Sequence, residues 1–266
     1  GFLARLDAAG IPTYVTYVGG SGHDTVEAVA ARGATVALTG LTISTTGFSG
    51  LTGNAAQPAI GGDYDAYVIV MDFSQVQPLR YGSFHGGAGA DGAYAIGIDS
   101  VGRVVLGGFT ESATLPAANP LYASLRGGRD GFVARFDPAT GARDYSSFFG
   151  GSSSSETISR LVVDASDHVV IAGASNATDL PAGPATPAQA TSGGDFDAFV
   201  ARLDLDAAPE HQVLYRSYLG GASADSALAL AVDARNRIIV GGYTASANFP
   251  KALSLQPALG GRRGGF

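Results

Sequence analysis

The feature that most restricts this chain is that it repeats itself. Phe2-Leu-Ala-Arg-Leu-Asp7 returns as Tyr67-Val-Ile-Val-Met-Asp72, Phe132-Val-Ala-Arg-Phe-Asp137 and Phe199-Val-Ala-Arg-Leu-Asp204, at intervals of 65, 65 and 67 residues. A second, aromatic segment follows each and ends in a glycine pair: Tyr14 to Gly20, Tyr81 to Gly87, Tyr145 to Gly151 and Tyr215 to Gly221. The third segment is Ala95 to Asp99, Arg160 to Asp164 or Leu230 to Asp233. The fourth is Arg103 to Thr110, His168 to Ser175 or Arg237 to Thr244, with a looser copy at Ala34 to Thr42. Four units, starting near residues 1, 66, 131 and 198, cover all 266 residues as one domain. Such a period demands an array of like supersecondary units.

Each segment is short, β-branched or aromatic, and bounded by Gly, Asp, Asn or Pro, which predicts a strand. The Ala-rich runs, such as Glu27 to Ala31, are too short for a stable helix. Between the third and fourth segments stand Asp99-Ser-Val-Gly102, Asp164-Ala-Ser-Asp167 and Asp233-Ala-Arg-Asn236. The closing residue is Gly, Asp or Asn, the types that tolerate a left-handed backbone, so a β-hairpin is expected there. The whole reads as all-β: a β-propeller built from four repeats of about 65 residues, each a four-stranded antiparallel blade. A parallel β-helix would use shorter coils, and a sandwich would not explain four copies of one unit. The unit exceeds the ~40–50 residues of common blades. Its surplus falls after the fourth segment, as in Glu111 to Asp130, where Leu115-Pro116 is matched by Leu180-Pro181 and Phe249-Pro250. These pairs predict an apolar anchor on a stiffened loop.

Gly19 to Glu27, GGSGHDTVE, fits the calcium β-roll nonapeptide. Calcium rolls need such phrases in immediate tandem, whereas this one occurs once per unit. It drifts to Gly150-Gly-Ser-Ser-Ser-Ser-Glu156 and Gly220-Gly-Ala-Ser-Ala-Asp225. Only the glycine pair persists, as a loop needing close backbone approach would require. No calcium, other metal or cofactor is expected.

The combination DAFVARLD (Asp197 to Asp204), a Tyr-rich strand ending Leu-Gly-Gly, then AVD, VGGYT and Phe-Pro resembles the bacterial seven-bladed β-propeller (SBBP) repeat family. The resemblance spans all four units, is strongest in the fourth, and is weakest in the first, where Arg32 replaces Asp and no Pro follows Phe48. It implies a propeller in an exported or cell-surface bacterial protein and brings no defined activity or catalytic residues. The four repeats are expected to form an arc of a larger ring, with closure into a four-bladed ring as the alternative. The chain starts with Gly1 and shows no leader-like segment, so it reads as an excerpt or processed chain.

Composition narrows the partners. Sixteen Lys+Arg against 23 Asp+Glu give a net charge of −7, which argues against nucleic acid or an anionic membrane. Cysteine is absent, which removes disulfides and thiolate chemistry. No apolar run approaches the ~20 residues of a membrane helix, so no membrane insertion is expected. Asp7, Asp72, Asp137, Asp204, Asp99, Asp164 and Asp233 obey the repeat and read as turn carboxylates. Arg5, Arg135 and Arg202 alternate with apolar residues and read as paired or partly buried stems, an anion-binding ring being disfavoured by Val70 in the second unit. His23, His85, His168 and His211 fall out of phase and read as surface residues without metal-site spacing. Ser152 to Ser155 form a loop lacking a nucleophile elbow, and the glycine pairs precede no G-K-[ST]. Tyr14, Tyr81, Tyr145 and Tyr215 recur in phase, as do Tyr17, Phe84, Phe148 and Tyr218, which predicts packing between blades.

No catalytic residue is assigned, and the ligand-binding residues are left open. The expected role is a non-catalytic binding or structural scaffold recognising a protein or carbohydrate, joined to further blades or to itself. The alternative is a polysaccharide hydrolase or lyase with its site at the channel mouth. The long loops, Glu111 to Asp130 and Asn176 to Asp195 among them, are the expected variable face.

Overall fold

The computed structural model of the chain describes residues 1–152 and 155–266; Ser153 and Ser154 of the expected serine loop lie outside it. The protein is all-β, assembled from several small antiparallel sheets. Strands β1 (Phe2–Leu6) and β2 (Pro12–Tyr17) form a separate hairpin. The first sheet is a meander of β3 (Ala28–Arg32), β4 (Thr35–Thr42), β5 (Asp65–Asp72) and β6 (Leu79–His85). The second comprises β7 (Asp91–Ile98), β8 (Val104–Thr110), β9 (Asp130–Phe136) and β10 (Arg143–Phe149). The third comprises β11 (Glu156–Val163), β12 (Val169–Ser175), β13 (Asp197–Leu203) and β14 (Val213–Leu219). The fourth holds β15 (Asp225–Val232), β16 (Ile238–Thr244) and the two-residue β17 (Gly264–Gly265). No described helix is long and apolar enough to cross a membrane.

The sheets are offset by half a unit from the sequence repeats. A unit beginning near residue 66 gives its first two segments to the first sheet, as β5 and β6, and its last two to the second, as β7 and β8. The long connection therefore lies inside a sheet, between its second and third strands, and does not run between sheets. The short Gly-Gly loop makes the passage to the next sheet. Within a sheet the ladder crosses the long connection without a break: Val104 to Thr110 pair in order with Phe136 to Asp130.

The hairpin turns adopt the expected backbone. Gly102, Asp167 and Asn236 have φ of 94°, 62° and 62°. A left-handed conformation suits glycine and costs least, among other residues, for Asp and Asn.

Apolar side chains lie between successive sheets. One cluster joins Leu3 and Val18 of the first hairpin to Leu38, Tyr67 and Phe84 of the first sheet. A second joins Val68, Val70 and Tyr81 to Leu106, Phe132 and Phe136 of the second sheet. A third joins Val105, Tyr145 and Phe149 to Ile158, Ile171 and Phe199 of the third. The contact with the fourth sheet is smaller, built around Ala172, Ala198 and Ala227. Burying each large aromatic is worth about 1.5–3 kcal/mol, so these layers, rather than individual hairpins, carry the stability. Tyr81, Tyr145, Phe84, Phe148 and Tyr218 are all buried, whereas Tyr17 is exposed.

The long connections cap the sheet edges. Between β8 and β9, Ala118 and Ser146 exchange backbone hydrogen bonds, and Phe148 N donates to Tyr122 O, so the loop lies along the outermost strand β10. Gln57 and Gln189 occupy the same place: Phe84 N donates to Gln57 O and Tyr218 N to Gln189 O. An outer strand covered this way offers no open ladder to another chain. Leu115 and Leu180 are buried beneath these loops, which accounts for the recurring Leu-Pro pairs.

Candidate functional sites at the turn face and the sheet junctions

Each turn carboxylate is consumed locally. Asp7 Oδ1 accepts from the amides of Ala9 and Ile11, Asp99 Oδ1 from Val101 and Arg103, Asp164 Oδ1 from Ser166 and His168, and Asp233 Oδ1 from Arg235 and Arg237. Asp72, Asp137 and Asp204 do the same with Ser74, Ala139 and Asp206. In such turns the carboxylate replaces a missing backbone partner.

The arginines fasten neighbouring sheets together. Arg135, only 5% exposed, donates from Nε to Asp144 Oδ1 at 2.8 Å and from Nη2 to Asp206 Oδ1 at 2.5 Å, linking β9 to the turn after β13. Arg103 reaches Asp99 and the same Asp206. Arg202 donates to Asn236 in the fourth sheet at 3.0 Å and lies 3.3 Å from Asp164. Arg5 instead lies over the Phe73 ring, 5.0 Å from its centroid. Arg5, Arg135 and Arg202 thus do not converge on one anion. Arg135 and its salt links hold Asp206 below the usual carboxylate range.

His85 corrects the surface reading. It is fully buried between the rings of Phe132 and Phe136, at 5.1 and 5.7 Å. Desolvation, followed by the charge of Arg143, pushes its pKa well below the ordinary value, so the ring is neutral. The repeat held the clue, because Val18, Phe149 and Leu219 fill the same place in the other units. His23 and His211 are exposed and His168 is half-buried. Among the described residues no group of three His, Cys, Asp or Glu side chains is placed to hold a metal ion.

The motif resembling a calcium loop is built as a carboxylate-centred turn. Asp24 accepts from Gly20 N at 2.8 Å and from the hydroxyls of Ser44 and Thr42. Asp91 accepts from Gly87 N and Ser112 Oγ, and Asp225 from Gly221 N and Ser246 Oγ. Glu156 substitutes in the third sheet, reaching Gly151 N and Ser175 Oγ. A second carboxylate family escaped the sequence reading: Asp65, Asp130 and Asp197, at the starts of β5, β9 and β13, are fully buried. They receive the amides of Gly61, of Arg126 and Gly127, and of Gly193. Their signal was an Asp two residues before the first aromatic of three units.

The chain matches no family model and no curated protein.

One cleft of about 320 Å³ opens on the turn face between the third and fourth sheets, lined by Asp164, Ser166, Val232, Asp233 and Asn236. None of the carboxylates raised by burial — Asp65, Asp91, Asp130 and Asp197 — lines it. Its two acids are already engaged by turn amides.

Proposed function

We propose that the chain is a run of β-propeller blades of SBBP-repeat type, serving an exported or cell-surface bacterial protein as a non-catalytic scaffold for a protein or carbohydrate ligand. The propeller reading is supported by four-strand meanders joined by short loops, with an apolar layer between each sheet and the next. The exported location rests on the resemblance of DAFVARLD and its companion segments to that repeat family.

The observation that carries the scaffold reading is the fate of the charged side chains. Catalysis needs an acid, base or nucleophile facing a space where substrate can sit. Here the repeated carboxylates and Arg135, Arg103 and Arg202 are committed to turns and sheet-to-sheet links, and the raised carboxylates lie away from the cleft. The Asp164 and Asp233 turns then form a fixed polar rim against which a ligand could be read.

The test is incubation of the purified chain with a panel of acidic and neutral polysaccharides and with their oligomers. Reducing ends and unsaturated uronate absorbance report hydrolysis and elimination, and calorimetry reports binding. The scaffold reading expects no turnover, with any binding weakened by Asn236→Ala in the cleft. Sustained product formation would replace it with the hydrolase or lyase alternative.

A further inference from the structure

Each Gly-Gly passage between sheets separates two buried carboxylates, one from either sheet. A Cβ built on Gly220 would lie 2.4 Å from Asp197 Oδ1 and 2.8 Å from Asp225 Oδ2. Those oxygens are therefore within about 5 Å of each other, a range at which like charges strongly disfavour double ionisation. At the preceding junctions the same construction on Gly150 meets Glu156 Oε2 at 2.5 Å and Asp130 Oδ1 at 2.7 Å, and on Gly86 meets Asp65 Oδ1 at 2.5 Å. Gly87, next in the chain, donates its amide to Asp91 Oδ2 at 2.7 Å. Glycine is required here because the carboxylates press on its α-carbon.

The groups facing each pair differ in sign. Around Asp65 stand Gln57 and the amide of Gly61, with Asp91 opposite, while Glu111, itself ion-paired with Arg129 at 2.5 Å, adds negative charge beside Asp91. Asp197 is faced by Gln189, Ser192, the Gly193 amide and Asp225, and Asp225 by the Gly221 amide and Ser246. A basic side chain, Arg126, influences only the middle pair, through Asp130. The first and last junctions thus confine two acids each and, among the described residues, have no Lys or Arg in ion-pairing contact with them.

We propose that Asp65, facing Asp91, and Asp197, facing Asp225, each hold a proton in mildly acidic solution. Its release to solvent towards neutral pH loosens the contact between successive sheets. Only the O–H bond breaks, and the proton leaves to water. Burial, with the facing Asp91 charge as a further contribution, pushes Asp65 up to about 6, and burial and Asp225 raise Asp197. The sign follows from linkage: a carboxyl raised on folding stabilises fully below its unfolded value and loses that contribution as pH rises through its folded value. For Asp65 the window runs from about pH 4 to about pH 6.

The test uses the 266-residue chain, followed by urea unfolding between about pH 4 and pH 8 and by carboxyl ¹³C resonances. Asp65→Asn and Asp197→Asn place a neutral amide where the protonated acid stands. The wild-type unfolding constant should rise with pH, by up to tenfold per pH unit across that window for Asp65 and in the same direction for Asp197. Each variant should show a shallower rise and should match or exceed wild-type stability at about pH 7.5. Equal destabilisation of the variants at every pH would overturn the proposal, because a purely structural acid predicts that. So would Asp65 and Asp197 resonances titrating at ordinary values, a measurement that needs no variant. Restoration of stability at about pH 7.5 by added calcium would also overturn it, since a cation would then be the neutralising group.

Discussion

Tyr145 donates its phenolic hydroxyl to Gln212 Oε1 at 2.8 Å, both side chains being fully buried between the second and third sheets. Gln212 in turn donates to Asn119 O at 2.9 Å, tying the edge-capping loop of one sheet to the turn of the next. Tyr145→Phe keeps the ring and removes the donor, leaving Gln212 Oε1 buried without it. The expected loss is about 1–3 kcal/mol, read from denaturant midpoints. Gln212→Ala in the same background should add little beyond its cavity, and full additivity would show that the two residues act independently.

Gly102 tests the turn chemistry. Its φ is 94°, and a Cβ there would meet nothing within 4 Å, so any cost of substitution is conformational rather than steric crowding. Gly102→Val should lose about 1–2 kcal/mol, more than Ala174→Val on the neighbouring β12. Gly102→Asn, copying Asn236, should cost much less. Equal midpoints for the two valine variants would remove the turn from the account.

Acid sensitivity should come from a different set of groups. Asp206 is held low first by its hydrogen bond from Arg135, and Asp167 by that from Ser100. A depressed carboxyl contributes stability above its unfolded value, near 3.8, and loses it as pH falls. Asp206→Asn should therefore flatten the stability profile below about pH 4. The junction acids act in the opposite direction, so stability should peak in mildly acidic solution. A peak above pH 7 would contradict the junction assignment, and an unchanged acid limb in Asp206→Asn the other.

Chelation should have no effect. Asp24 and Asp91 already accept from amides and hydroxyls, so EDTA or added calcium should leave the melting temperature of the wild-type chain unchanged at about pH 5. A strong upward shift with calcium would restore the cation-loop reading of Gly19 to Glu27.

The two ends of the stack should make this polypeptide adhesive. Phe2 is 68% exposed and Ile239 55%, although Phe132 in the corresponding place of β9 is fully buried. Beyond Tyr243 and Thr244, which pair with β17, and Gly242, which exchanges backbone hydrogen bonds with Phe266, the outer edge of β16 has no ladder partner among the described residues. Concentration-dependent association is expected in sedimentation experiments, reduced by Phe2→Lys or Ile239→Lys. Cysteines placed on β1 and β16 should fail to crosslink within a monomer. Efficient intramolecular crosslinking would indicate that the ends meet.

The strands and hairpin turns were legible because their requirements are local. Alternating β-branched residues and an Asp, Asn or Gly at a left-handed position carry the same meaning in any context. Sheet phase was not legible: a periodic list of segments reads alike wherever it is cut, and only the ladder pairing Val104 to Thr110 with Phe136 to Asp130 across the long connection separates one sheet from the next. His85 was misplaced because its polarity was weighed and its column was not. Asp65, Asp130 and Asp197 were passed over for a similar reason, since their role depends on a glycine α-carbon about 20 residues away in sequence but adjacent in space.

The half-unit offset between sequence repeats and sheets has a genetic consequence. Excising about one repeat length between two long connections would join the first hairpin of one sheet to the second hairpin of the following one, and between two Gly-Gly loops would remove one whole sheet. Because β5–β6 and β9–β10 share segments and register, the fused halves would rebuild a complete sheet. Unequal recombination could therefore lengthen or shorten such a gene without regard to where the crossover falls. Each exchange would also shuffle which loop covers which hairpin, so that new surfaces arise from old parts without a new strand having to evolve.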